Sequence, residues 1–203
     1  MSSTNACHLV IFTRAPRFGT VKKRLARDIG ALAAWQFHRG TTARLLRRVA
    51  RDPRWRTWLA VTPDNAARAG SGLWPGPYHV MAQGPGDLGQ RMGRVLQALP
   101  RGPVVIVGSD IPGIERQHVA QAFRALGRHD WVIGPAADGG YWLIGAKRRP
   151  GLRLPFAGVA WGGPEVRAQT LSNLSGHSVA HLEELIDIDH GADLERWRRE
   201  CPS

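Results

Sequence analysis

Apolar and polar positions along this chain follow two alternating rhythms. Short apolar runs at 8–12 ("HLVIF"), 57–62 ("TWLAVT"), 78–83 ("YHVMAQ"), 103–110 ("PVVIVGSD"), 131–136 ("WVIGPA"), 139–146 ("GGYWLIGA") and 177–182 ("HSVAHL") read as strands bounded by Gly, Pro and Asp turns. Between them, 31–52, 87–99, 115–126, 164–174 and 191–200 carry apolar residues at helical spacing. In the first of these helices Leu32, Trp35, Leu45, Leu46 and Val49 form the expected buried stripe, and Gly40 weakens its middle by ~1 kcal/mol relative to Ala. In the second, Leu88, Met92, Val95, Leu96 and Leu99 are expected to point inward. Val104–Val107 is a continuous β-branched run without polar alternation, so both of its faces need cover, as in a parallel sheet. Pro63 closes the second strand, and 69–77 is a Gly- and Pro-rich loop. Strand–helix alternation of this kind predicts an α/β layered chain with a mostly parallel sheet. The length of 203 residues fits a single domain over 1–203, without internal repeats or low-complexity tracts.

In such sheets ligands bind beyond the carboxyl ends of the strands, so the polar turns that end the apolar runs are where chemistry is expected. The first, "FTRAPRFGTVKKRLA" (12–26), crowds five cations, Arg14, Arg17, Lys22, Lys23 and Arg24, around Gly19 just before a helix that begins near Val21. Gly19 lets main-chain N–H groups approach an anion, and Lys22 and Arg24 can reach phosphate oxygens. The alternative is a solvated basic helix start, unfavourable by several tenths of a kcal/mol unless an anion relieves it. The loop lacks the first Gly and the Gly-Lys-Ser/Thr ending of an ATP-binding P-loop. The second turn, "QGPGDLGQRM" (83–92), sets Gly84, Gly86 and Gly89 around Asp87, which suits an N-cap. The third puts Asp110 directly after the buried 103–110 run, poised as a Mg²⁺ ligand beside a nucleotide or else as a turn cap. Ser109 lacks a Gly-x-Ser-x-Gly elbow, which argues against a hydrolase nucleophile. The fourth, "GPAADGGYWLIGA" (134–146), pairs Gly139 and Gly140 beside Asp138 in a tight turn. Farther on, "IDIDHGADL" (186–194) places Asp187 and Asp189 on one side of an extended segment, with Asp193 serving the first turn of the last helix.

Charge changes the picture only in part. The net charge of +12 favours anionic partners, yet only Lys22, Lys23 and Lys147 of the 28 basic residues are lysine, a bias that also fits a solvated Arg-rich surface. Cys7 and Cys201 stand at opposite ends without metal-ligand spacing or a disulfide framework. No apolar run approaches the ~20 residues of a membrane span, and no apolar leader segment opens the chain, so a cytoplasmic location without membrane partners is expected.

Taken in order, "FTRAPRFGTVKKRLA", "GDLGQRM", "GSDIPG", "GPAADGGYWLIG" and "DIDHGADL" resemble small bacterial glycosyltransferase-A-fold proteins over about residues 8 to 197. The group is the radical-SAM/selenodomain-associated transferases, also called arsenosugar-biosynthesis glycosyltransferases. More distantly the chain is similar to 2-phospholactate and molybdenum-cofactor guanylyltransferases. The resemblance implies a Rossmann-like nucleotide-diphospho-sugar transferase (GT-A) fold, three α/β/α layers around a mostly parallel mixed sheet. It implies nucleotide binding by Arg14, Ala15, Pro16, Gly19, Thr20, Lys22 and Arg24, with Gly86, Asp87, Gly89 and Arg91 holding base and ribose. It further implies Mg²⁺ (or Mn²⁺) on Asp110 and Asp189, catalytic roles for Asp110 and Lys22, and an acceptor pocket of Asp138, Gly139, Gly140, Tyr141 and Trp161. The chain departs from the pattern at His190-Gly191, where relatives carry Thr-Pro, and at "AWGGPEV" (160–166), where they carry a "WST" pattern.

The expectation is a Mg²⁺-dependent transferase with a nucleotide donor and a small-molecule acceptor. Glycosyl transfer from a nucleotide sugar leads, and nucleotidyl transfer from an NTP to a phosphorylated acceptor is the runner-up. Both need charge neutralised on a departing pyrophosphate-like group. Specific nucleic-acid binding is disfavoured, because the basic residues are scattered and no aromatic stacking platform is evident.

Overall fold

A computed structural model describes residues 6–68 and 73–200; of the loop expected at 69–77, residues 69–72 lie outside the described residues, as does Cys201. The seven apolar runs form seven strands: β1 (Cys7–Arg14), β2 (Trp55–Thr62), β3 (His79–Ala82), β4 (Val104–Gly108), β5 (Trp131–Pro135), β6 (Tyr141–Ala146) and β7 (Val179–His181). They build one sheet in the order β3-β2-β1-β4-β6-β5-β7. β1 pairs in parallel with β2 and β4, β2 with β3, and β5 with β7, while β6 runs antiparallel between β4 and β5.

Alternation along the strands assigns each side chain a layer. Leu9 and Ile11 of β1, with Val105 and Val107 of β4, face one way, against Leu45, Leu46 and Val49 of α2 (Ala31–Val49) and Val119 and Leu126 of α5 (Arg116–Leu126). Val10, Phe12, Val104 and Ile106 face the other way, against Met92, Val95 and Leu96 of α4 (Leu88–Ala98) and Leu174 at the end of α6 (Val166–Asn173). Both faces of the β-branched run are therefore covered, which explains its lack of polar residues. A third, smaller cluster of Leu25, Ala34, Ile188 and Leu194 packs α1 (Lys23–Ile29) and α2 against α7 (Gly191–Glu200). A five-residue helix, α3 (Asp64–Arg68), follows β2 and is too short to announce itself by periodicity.

Two apolar positions depart from the sequence expectation. Leu32 is 57% exposed, because the buried side of α2 runs instead through Ala34, His38, Thr41 and Thr42 before reaching Leu45. His38 can be buried because its Nε2 bonds the Arg14 carbonyl at 2.8 Å, and the Thr42 hydroxyl donates to the His38 carbonyl at 2.9 Å. Leu88 is 43% exposed at the start of α4. Trp35 is half-buried, its indole N–H donating to the Pro16 carbonyl at 2.7 Å.

Ile11, fully buried between Leu59 and Val107 in the sheet register, reports on this core. Ile11→Ala should destabilise the fold by about 3 kcal/mol, read as a lower urea midpoint at unchanged slope.

Candidate functional site

β1 and β4 are neighbours in the sheet, yet the chain leaves β1 toward β2 on one side and β4 toward β5 on the other. At such a switch point the connections diverge and leave a crevice. The two strand ends are tied there by a 2.9 Å hydrogen bond from the Ser109 hydroxyl to that of Thr13. Over them opens a cleft of about 710 Å³, bordered by the ends of β1, β2 and β4, by Gln83 and Ala136 after β3 and β5, and by the start of β6.

One rim is cationic. Arg14, Thr20, Lys22, Lys23 and Arg24 line it from the β1–α1 turn, and Arg91 from the first turn of α4. Asp138, Gly140, Tyr141 and Trp161 also line the cleft, Trp161 lying against α4, the helix of Arg91. Within the cleft an ammonium is shared by two carboxylates: Lys22 Nζ lies 2.9 Å from Asp110 Oδ2 and 2.7 Å from Asp189 Oδ1. Arg24 adds a 3.1 Å contact to the other oxygen of Asp189. The Lys22 side chain is 8% exposed, whereas those of Asp110 and Asp189 are about one-third exposed (37% and 35%). Burial by itself would lower the Lys22 pKa, but the two carboxylates outweigh it and the net shift is upward. Burial likewise opposes ionisation of Asp110, and Lys22 reverses that, holding its carboxyl below the usual range. Lys22 and Asp110 are therefore both charged at neutral pH.

Local chemistry aims each group. Asp189 is oriented by Asp193 in the first turn of α7, whose carboxylate accepts from the Asp189 and His190 amides at 3.0 and 2.7 Å. The neighbouring Gly191 amide donates to Asp28 of α1 at 2.8 Å, so the departure from Thr-Pro at 190–191 is built into the helix contact. Asp138 Oδ1 accepts from Gly140 N at 2.8 Å and closes the tight turn before β6. Gly139, at φ +88°, sits where a Cβ would come 2.1 Å from the Pro164 carbonyl oxygen, so only glycine fits. Asp87 caps α4 in a reciprocal pair with Gln90, at 2.8 and 3.0 Å.

Among the residues expected from sequence, Arg14, Thr20, Lys22, Arg24, Arg91, Asp110, Asp138, Gly140, Tyr141, Trp161 and Asp189 all border this one cleft. Ala15, Pro16, Gly19, Gly86, Asp87, Gly89 and Gly139 do not. Ala15 is buried and its amide is bonded to the Thr62 carbonyl, while Pro16 receives the Trp35 indole. Gly86, Asp87 and Gly89 instead border an adjoining hollow with Leu154 and Phe156. Gly89 acts on the cleft indirectly: a Cβ there would come 2.5 Å from the Trp161 ring, so its absence lets that indole lie against α4.

Three lining residues, Gln83, Leu88 and Asp187, were given no site role by sequence reasoning. Gln83 donates both amide hydrogens to backbone carbonyls, of Thr13 at 3.0 Å and Ala60 at 2.9 Å, leaving its amide oxygen as the group available to a ligand. Leu88 spends its exposure on the cleft wall. Asp187, visible in sequence only through its spacing from Asp189, also faces the cleft. Burial, then the negative charges of Asp138, Asp110 and Asp189, push its pKa up to about 7.

The pair Asp110 and Asp189 suits a hard divalent cation, since both carboxylates already converge on one positive charge. No group of three or more His, Cys, Asp or Glu is placed to hold a metal among the described residues, so a bound polyphosphate and water would have to complete the coordination. No helix of the described residues is long and apolar enough to cross a membrane.

The architecture is that of the nucleotide-diphospho-sugar transferases: a GT-A-like α/β chain with a mostly parallel seven-stranded sheet. The chain belongs to the family described as an uncharacterized protein conserved in bacteria (DUF2064), which matches residues 45–163. A crystal structure from Desulfovibrio desulfuricans G20, provisionally described as a nucleotide-diphospho-sugar transferase, shares 30% identity, with a TM-score of 0.88 over 97% of this chain and 88% of that one. The 4-diphosphocytidyl-2C-methyl-D-erythritol synthase of Anaerococcus prevotii shares the fold at 11% identity, with a TM-score of 0.63 over 98% and 99% of the two chains. So does the glucosyl-3-phosphoglycerate synthase of Mycobacterium tuberculosis, solved with Mn²⁺, UDP and glucosyl-3-phosphoglycerate, at 13% identity and a TM-score of 0.56 over 95% and 75%. No curated protein matches the chain. The two last-named neighbours are a nucleotidyltransferase-type and a glycosyltransferase-type enzyme, so the fold hosts both chemistries named from sequence.

Asp187 yields a prediction with a definite sign. A carboxyl raised to about 7 keeps its proton in the fold between pH ~4 and ~7, where the unfolded chain has lost it, so stability declines as pH rises through that window. Asp187→Asn should therefore raise Tm above wild type by about 2–4 °C at pH 8 and leave it unchanged near pH 4, measured by thermal unfolding in metal-free buffer.

Proposed function

We propose that this protein is a divalent-metal-dependent glycosyltransferase that moves a sugar from a nucleotide-sugar donor to a hydroxyl of a small-molecule acceptor. The observation that carries this reading is the meeting of a cationic turn and two carboxylates in one cleft at the carboxyl edge of the sheet. In this reading Arg14, Arg24 and Lys22 donate to the donor's diphosphate oxygens, with Thr20 beside them, and Arg91 lies toward the ribose and base. Asp110 and Asp189 hold Mg²⁺ or Mn²⁺, which when bound offsets charge developing on the diphosphate leaving group. The acceptor oxygen forms a bond to the anomeric carbon while the bond from that carbon to the diphosphate oxygen breaks.

The residues around Asp138 favour glycosyl over nucleotidyl transfer in this reading. Asp138, Tyr141 and Trp161 give the cleft a carboxylate, a phenol and an indole, with Arg24 also lining the hollow beside Asp138. A neutral hydroxyl acceptor suits carboxylates and aromatic rings; a phosphorylated acceptor, which nucleotidyl transfer needs, would meet like charge there. Asp138 uses one oxygen on Gly140, leaving the other to receive the proton shed by the attacking hydroxyl. The relative with 30% identity is provisionally described as a nucleotide-diphospho-sugar transferase, which supports the same choice.

Incubation with nucleotide sugars or with NTPs, each with Mn²⁺, should release nucleoside diphosphate from the former and no pyrophosphate from the latter. Pyrophosphate release would overturn the glycosyl reading. Asp110→Asn should lower turnover at least about 100-fold, measured as nucleoside diphosphate released. Asp138→Asn should reduce kcat by roughly 10²–10⁴-fold with little change in donor KM.

A further inference from the structure

We propose that Lys22 is an internal cation that keeps the metal position closed until a polyphosphate arrives, so that metal and nucleotide enter the cleft together. The inference rests on the reading of the cleft as a polyphosphate site. Its basis is that Lys22 Nζ bonds the same two carboxylates that would ligate the metal, through Asp110 Oδ2 and Asp189 Oδ1. An ammonium 2.7–2.9 Å from both oxygens leaves no room for a divalent ion between them, and at that range the two cations repel strongly. The carboxylates are thus neutralised from within and offer a free metal ion little gain.

Three further features suit a side chain that must move. Lys22 sits in the left-handed backbone region (φ 45°, ψ 50°), one of two non-glycine residues with positive φ among the described residues. Such a conformation persists when its surroundings hold it, here the paired ammonium. The preceding residues 17–20 are exposed and are held by local bonds within the turn, such as the Thr20 hydroxyl to the Arg17 carbonyl at 2.9 Å. Arg24, with a side chain 58% exposed, keeps a contact to Asp189 that does not depend on Lys22. A polyphosphate gives the ammonium an alternative partner of higher charge. Once Lys22 turns to it, both carboxylates face the metal that arrives on the same phosphates. By linkage, nucleotide then raises metal affinity by the same factor that metal raises nucleotide affinity.

The test uses the purified full chain and Mn²⁺ as probe, with free Mn²⁺ read by electron paramagnetic resonance in the absence of nucleotide. Lys22→Met should bind Mn²⁺ at least about tenfold more tightly than wild type, while the charge-preserving Lys22→Arg stays as weak as wild type. Equal or weaker binding by Lys22→Met overturns the proposal. A second measurement needs no variant, should Lys22→Met fail to fold. With wild type, millimolar Mn²⁺ alone should leave Tm unchanged, and Mn²⁺ with UDP or GDP should raise it beyond the nucleotide alone. A Tm rise with Mn²⁺ alone, as large as with nucleotide present, overturns the gate. If no nucleoside di- or triphosphate shifts Tm with or without Mn²⁺, the polyphosphate reading itself fails, whereas the variant comparison still reports on the gate.

Discussion

One ammonium shared between two carboxylates organises this molecule's working edge. Lys22 enters from the turn after the first strand, Asp110 from the end of the fourth and Asp189 from the segment leading into the last helix. None of the three has a reason to be charged and inward-facing alone, because taking a single charge out of water is unfavourable without a partner. Together they are mutually stabilised, and the net shifts of Lys22 and Asp110 both favour the charged forms. The arrangement depends in turn on the small cluster of Leu25, Ala34, Ile188 and Leu194 beneath it, which holds α1 and α7 at the distance the ion contacts require.

The sheet explains why this chemistry gathers where it does. Its central strand, β4, is apolar on both faces, and the charged side chains of the cleft gather where the strands stop. At the switch between β1 and β4 the departing loops diverge, opening a cleft that a packed helix cannot fill. β6 runs against its neighbours, and that reversal brings its first residue, Tyr141, and Gly140 just before it to the same edge as the ends of the parallel strands. The cleft thus combines cations from the N-terminal half with acidic and aromatic residues from the C-terminal half.

Legibility in the sequence tracks how local each signal is. The run Val104–Val107 predicted a two-faced strand because its composition alone states that both sides are covered. The cap by Asp87 was visible because cap and partner lie three residues apart. Leu32 and Leu88 were misplaced because an apolar residue on a helix does not declare which side faces the sheet. In α2 the buried side was carried by His38, Thr41 and Thr42, and the His38 ring nitrogen and Thr42 hydroxyl find backbone partners only after folding. Gln83 gave no signal, since its role depends on carbonyls of Thr13 and Ala60 that are remote in sequence.

By itself, then, the amino-acid order determined the succession of strands and helices, the layered α/β class and the set of polar turns in which chemistry could lie. Periodicity and composition encode burial along one element, and that information is local. Tertiary structure alone decided that Lys22 lies between Asp110 and Asp189 rather than facing solvent, that Asp187 joins an acidic neighbourhood, and that the Gly86–Gly89 turn borders a separate hollow. Those outcomes depend on distances between residues up to 167 positions apart, set by crossovers and packing. Coulomb energy and desolvation act on distances in space, which no single stretch of the chain contains.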